Sequence, residues 1–289
     1  MSNIQITENE SGKYSPEWFY NEAQKPEWIA FIRKADTLHE NFINHFGIEH
    51  LKSLSGKELL TSLFYNDKGN KLNLCYVLEM DKDMREIFGS IAGGAAYKFG
   101  LFFHKKTQSW TCGSPAKPVK LTENEAIQKA EEIRNDLVAG AEIISSFGPL
   151  NSTADYEQLY KQLEHISGIN TVWRMKYYQM LFPILFAPFY GQDIQLDVLH
   201  FLNQTPSEIP FIRMGQIALF SKKCNIPGIV FGHIWGRSTN HNNKSNDSET
   251  NTLSDKKHKL HYWMYTVFDD TSWMECQQKE ILAFQFFLI

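Results

Sequence analysis

Three sets of residues in this chain have types and spacings that could do chemistry. The first is the small-residue run Gly89-Ser90-Ile91-Ala92-Gly93-Gly94-Ala95-Ala96-Tyr97-Lys98. Glycine-rich loops can turn successive backbone N–H groups toward a phosphate, and a lysine closes this one. A tight connection between two strands is the other reading of the same residues. A nucleotide P-loop is excluded, because G-x-x-x-x-G-K-[ST] occurs nowhere in the chain. The second set pairs cations with rings: Lys98, Lys105 and Lys106 beside Tyr97 and Trp110, and Arg174, Lys176, Arg213, Lys222 and Lys223 beside Tyr177 and Tyr178. Such cations could bind phosphates while the rings contact bases. Amphipathic spacing gives each of these aromatics a core position as the competing reading. The third set is acidic: Glu79-x-Asp81-Lys82 with Asp83, and Asp269-Asp270. The first of these superficially matches a metal-dependent nuclease, but a charged strand end has the same appearance. No catalytic residue and no cofactor is expected.

Cys75, Cys112, Cys224 and Cys276 never form C-x-x-C, and structural thiols are the expectation. His258 and His261 stand three apart without a second ligand pair, so no metal is expected either. The net charge of -4 and pI near 6.2 argue against a wholly basic surface, and any nucleic-acid contact would have to be local. The polar, acidic start lacks a signal peptide, and the apolar runs 177–190 and 281–289 are too short to span a membrane. The expectation is a cytoplasmic protein without membrane contact.

The elements that must position these residues follow from periodicity. Ser15-Pro16 opens a short helix, and Pro26 opens a longer one through about His45, with Trp28, Phe31, Ile32, Ala35, Leu38, Phe42 and Phe46 spaced three or four apart and Gly47 as its stop. Ser55 reads as the N-cap of another. Leu74 to Leu78, Phe99 to His104 and Ser109 to Cys112 read as strands, the last two joined through Lys106-Thr107-Gln108. Thr122 and Glu125 form a capping box at the head of a helix that ends at Gly148-Pro149, with Lys129, Glu132, Arg134 and Asp136 on its solvated face. A helix from about Thr153 to Ile166 leads into the aromatic-rich stretch 173–235, where three more are expected: Val172 to Leu185 broken at Pro183, Asp193 to Asn203, and Phe211 to Asn225. The segment RSTNHNNKSNDSETNTLSDKK has too little apolar surface to offset its ordering entropy.

The resulting expectation is an α+β chain. A mainly helical domain with a small β-hairpin or sheet insertion spans 1–236, a disordered polar linker spans 237–259, and a partial strand-helix-strand tail spans 260–289.

NLCYVLE, REIFGSIAGGAAYKFGLFF, AGAEIISSFGPLN, KYYQMLFPILFAPFYG and FIRMGQIALFSKKC together resemble the region N-terminal to the motor in McrB-like AAA+ proteins of modification-dependent restriction systems. HYWMYTVFDDTSWMECQQKEILAFQFF is similar to the opening of an EVE-like, PUA-related module. The resemblance implies a DNA-recognition region for phage defence. Its partners would be double-stranded DNA, methylated or not, and a McrC-like nuclease or an AAA+ subunit. It also implies an aromatic base cage whose candidate walls are Trp263, Tyr265 and Trp273. With no Walker A lysine in this chain, no NTPase activity is implied for it, and the EVE-like part would be truncated. The apolar strand 281–289 would then be an edge available for self-association. The alternative reading is a protein-interaction or assembly module, or a remnant without nucleic-acid binding.

Overall fold

A helix buried on every side lies at the centre of the fold, and its polar groups must find partners there. In the computed structural model, which describes residues 14–64, 72–91, 96–104, 107–114, 116–166 and 170–248, every residue from Trp173 through Leu181 of helix α9 (Thr171–Leu181) is buried. The remaining helices among the described residues follow in chain order. They are α1 (Pro16–Ala23), α2 (Pro26–Phe46), α3 (Ile48–Ser53), α4 (Gly56–Leu63), α5 (Leu74–Glu79), α6 (Lys82–Phe88), α7 (Glu123–Ser146), α8 (Thr153–Leu163), α10 (Gln192–Phe201), α11 (Pro210–Lys223) and α12 (Gly228–Ser248). A three-stranded antiparallel sheet, β1 (Leu101–His104), β2 (Ser109–Ser114) and β3 (Lys117–Leu121), interrupts them in the order β1-β2-β3. The fold is therefore mainly helical with a small sheet inserted before α7. The chain divides after Asn243 into two compact units, and from residue 249 onward it lies outside the described residues.

The helix starts follow local chemistry. Ser15 Oγ accepts from the Trp18 amide, and the capping box at Thr122 is complete, with Glu125 accepting from the Thr122 amide at 2.7 Å. Ser55 occupies the N-cap of α4 without a side-chain cap bond. Gly47 ends α2 in extended conformation and at once serves as N-cap of α3, a helix the periodicity does not announce. Close approach needs glycine at Gly140, where a Cβ would lie 1.7 Å from the Tyr178 hydroxyl, and at Gly215, where it would lie 2.3 Å from the Tyr156 ring.

Several expectations are corrected. Leu74 to Leu78 is helical, because Asn73 Oδ1 caps the Tyr76 amide and the buried positions Leu74, Cys75, Val77 and Leu78 follow a helical spacing. β1 starts two residues later than Phe99, after a 3-10 turn at Ala96–Phe99. Strand β3 is an addition, and its Pro118 is tolerated because β3 is an edge. Arg134 leaves the solvated face of α7 to donate to Leu51 O and Leu54 O at 2.8 and 2.9 Å, holding the end of α3. Residues 237–248, read as linker, continue α12; 249–259 lie outside the described residues. Among the described residues no helix is long and apolar enough to cross a membrane. Cys75 and Cys224 are buried free thiols, and Cys112 is a half-buried one.

Candidate nucleic-acid interface

The cations that the sequence puts beside aromatics fall into two populations. Arg174, Lys176 and Arg213 are buried, at 8%, 0% and 5% exposure. Arg174 donates from Nη1 to Leu163 O and Ile166 O, closing the end of α8 and the turn beyond it. Lys176 donates from Nζ to Phe88 O at 2.6 Å and Gly89 O at 3.1 Å, so it caps the C-terminus of α6 from inside the core. Nζ also lies 4.7 Å from the Tyr190 ring centre, and the Tyr190 hydroxyl is 2.8 Å from the same Phe88 oxygen. Burial pushes the Lys176 amine well below the ordinary lysine range. Arg213 donates from Nε to Gln195 Oε1 at 2.9 Å and from Nη1 to Ser207 O at 3.2 Å. These three are corrected as phosphate ligands: their N–H donors are spent on backbone and amide oxygens, away from solvent. Trp110 is corrected likewise, being buried and edge-on to Phe103 at 5.2 Å between ring centres. Tyr177 and Tyr178 are fully buried as well.

Lys98 is three-quarters or more buried and paired with Glu79 of α5, and it donates to Ile91 O at 2.9 Å. Its charge is largely matched inside the fold. Tyr97 places its backbone in the 3-10 turn. Lys105 and Lys106 lie outside the described residues, as do Trp263, Tyr265 and Trp273. Lys222 and Lys223 remain exposed in the last turn of α11, where cations complement the helix dipole, and Lys222 donates to Asn151 Oδ1 at 2.8 Å.

What sequence reasoning missed is the outer part of the sheet. Strand β3 is exposed from Lys117 through Lys120. Its register sets Lys120 opposite Thr111 and Thr111 opposite Phe102, in one row across all three strands. Alternation puts Leu101, Phe103, Trp110 and Leu121 on the face that joins the core, and Phe102, Thr111, Lys120 and His104 on the other. Phe102 is half-buried, and Thr111 opposite it is buried, so this face is covered at its centre and exposed only toward β3. His104 Nδ1 accepts from the Thr107 amide at 3.2 Å, which leaves Nε2 to carry the proton of the neutral ring. A signal for this surface exists in the sequence: from Ile87 to Thr122 the chain contains five lysines and no Asp or Glu, although the whole carries a net charge of -4.

The sheet is anchored by covalent neighbours and by α7. The strands contact α7, and Lys57 of α4 pairs with Glu123 in the first turn of α7, at 2.9 Å. A separate cleft of about 770 Å³ lies between α2, the turn Leu181–Leu185 and the α11–α12 junction. Its walls are mostly apolar, its charged groups Asp36 and Lys222 are of opposite sign, and it shares no residue with the sheet. No protein-family model, no curated protein and no solved structure matches the chain.

Proposed function

We propose that this chain binds nucleic acid through the inserted sheet, and that it is a DNA-recognition region of a modification-dependent defence system. The observation that carries the reading is the run from residue 87 to residue 122, free of acidic residues within an acidic chain and folded so that Lys117 and Lys120 stand exposed on one edge strand. Local positive potential on a protein of opposite net charge directs polyanions to one place. The resemblance to the pre-motor region of McrB-like proteins supports the biological setting. In that setting hydrolysis of nucleotide or DNA belongs to partner polypeptides, an AAA+ subunit and a McrC-like nuclease, and this chain is not an enzyme.

The test is fluorescence anisotropy of the full chain with methylated and unmethylated DNA, wild type against the double variant Lys117→Gln/Lys120→Gln. The expected result is a loss of at least about tenfold in affinity, since a hydrogen bond to a charged group contributes about 1.5 kcal/mol. Unchanged affinity in the double variant would overturn the placement, and no binding by wild type would overturn the function.

A second reading, an assembly module, rests on Ile184, which is 87% exposed on the rim of the apolar cleft. A large aliphatic side chain so exposed suits contact with a second copy of the chain. Light scattering would then report a dimer that Ile184→Lys dissociates; a monomer at all concentrations would dispose of it.

A further inference from the structure

The cleft of about 770 Å³ between α2, the turn Leu181–Leu185 and the α11–α12 junction has the size and the walls of a small-molecule site. Ile32, Ala35, Asp36 and His39 stand three or four apart on α2 and form one wall together. The facing walls come from two places where a helix stops. α9 ends at Leu181, two residues before Pro183, and α11 gives way to α12 through Asn225, whose φ is 54°. Apolar side chains from all three walls, with Phe88 among them, line the space, and an apolar body that fills it is favoured by the water it displaces.

Two polar features decide which apolar body that is. Asp36 and Lys222, one of each sign, are both exposed. A ligand with a net charge is attracted by one and repelled by the other, and it still loses hydration on entering apolar walls. An uncharged ligand meets neither cost. The second feature is His39, which is half-buried and lines the cleft, while its Nε2 is buried with no hydrogen-bond partner. A buried polar atom of this kind costs stability until something partners it. A hydroxyl can do so in either tautomer of the ring, donating to a bare nitrogen or accepting from a protonated one. An aliphatic side chain such as Ile184 of a second copy would fill space but leave Nε2 without a partner.

We propose that the cleft binds an uncharged apolar alcohol, with the hydrocarbon against its walls and the hydroxyl hydrogen-bonded to His39 Nε2. The inference stands apart from the nucleic-acid reading, because the cleft and the sheet share no residue.

The experiment is calorimetric titration of the full chain with four probes built on one ring system: naphthylmethanol, methylnaphthalene, naphthoate and naphthylmethylammonium. Wild type, His39→Phe and Ile32→Trp are compared. The expected result is tightest binding of the alcohol, with the hydrocarbon about fivefold weaker for want of one hydrogen bond and both ions weaker by about tenfold or more. His39→Phe should bring the alcohol down to the level of the hydrocarbon and leave the hydrocarbon unchanged, whereas a merely structural histidine would lower both or neither. Ile32→Trp, which narrows the cleft, should weaken all four, and thermal melting checks that each variant folds. If Ile32→Trp does not fold, the comparison of alcohol and hydrocarbon in His39→Phe decides alone. An alcohol no tighter than its hydrocarbon, or an ion tighter than the alcohol, would overturn the proposal, and so would binding of none of the four. A dimer that Ile184→Lys dissociates, in a chain that takes up no probe, would give the cleft to a second copy and overturn it as well.

Discussion

Lysine and arginine serve opposite ends in two regions of this molecule. In the helical core, Arg174, Lys176 and Arg213 have each been drawn out of water to satisfy carbonyl and amide oxygens at the ends of helices and turns. On the sheet, Lys117 and Lys120 satisfy nothing inside the fold and stand in solvent. The lesson is that a cation beside an aromatic in sequence carries no functional information until its exposure is known. A buried cation fixes the packing of the elements whose ends it caps, whereas an exposed one on a strand that itself carries no acidic residue contributes potential. Removing the first kind should cost stability, and removing the second should cost affinity.

The sharpest break of that contrast is Arg174→Ala. It would strip the partner from Leu163 O and Ile166 O and leave a cavity, and about 3 kcal/mol of stability is expected to be lost. Urea unfolding measures it, and a change under about 0.5 kcal/mol would mean that the guanidinium is not structural. Lys117→Gln/Lys120→Gln, measured in the same way, should shift stability by no more than about 0.5 kcal/mol, as surface substitutions do.

Gly140→Ala is expected to cost about 1 to 3 kcal/mol, because the new methyl occupies the place of the Tyr178 hydroxyl and the helices α7 and α9 must separate. Adding Tyr178→Phe should recover part of that loss; thermal melting of the single and double variants reads the coupling, and simple additivity would contradict the contact.

The pH dependence sharpens the contrast further. Lys176 has its folded pKa lowered by burial, so between that value and the ordinary lysine value the unfolded chain binds more protons than the folded one. Stability contributed by this site therefore rises with pH through that window, with a slope of at most about 1.4 kcal/mol per pH unit, and levels off above the unfolded value. Lys176→Met should remove the slope. Chemical denaturation of both proteins from pH 7 to pH 10 measures it, and parallel curves would show that Lys176 keeps its proton in the fold.

Much of the helical frame was legible in sequence. Pro16, Pro26, the Thr122 capping box and the periodicity of α2, α7 and α8 mark their elements because local chemistry and core burial agree there. Leu74 to Leu78 misled because five apolar residues in a row fit a buried strand and a buried helix equally, and Asn73, the cap that decides, is a single residue. Strand β3 was hidden because proline and two lysines resemble a loop, and only pairing with β2 makes them a strand. Arg174, Lys176 and Arg213 were misplaced for a different reason. Their burial depends on carbonyls supplied from 11, 88 and 6 residues away in sequence, and no window on the helix itself reveals those partners. The proposed interface was half legible: Lys98, Lys105, Lys106 and Trp110 directed attention to the same stretch of sequence, while the exposed pair Lys117 and Lys120 emerged only from the pairing of β3 with β2.

The central claim is that the sheet, and no other cationic surface, meets the polyanion. Its most direct test is the slope of log affinity against log salt for the full chain, compared between wild type, Lys117→Gln/Lys120→Gln and Lys222→Gln/Lys223→Gln. The account predicts that the sheet variant lowers the slope by about 1.4 to 1.8, from two phosphate contacts, and that the α11 variant leaves it unchanged. A slope lowered by the α11 variant and untouched by the sheet variant would contradict it.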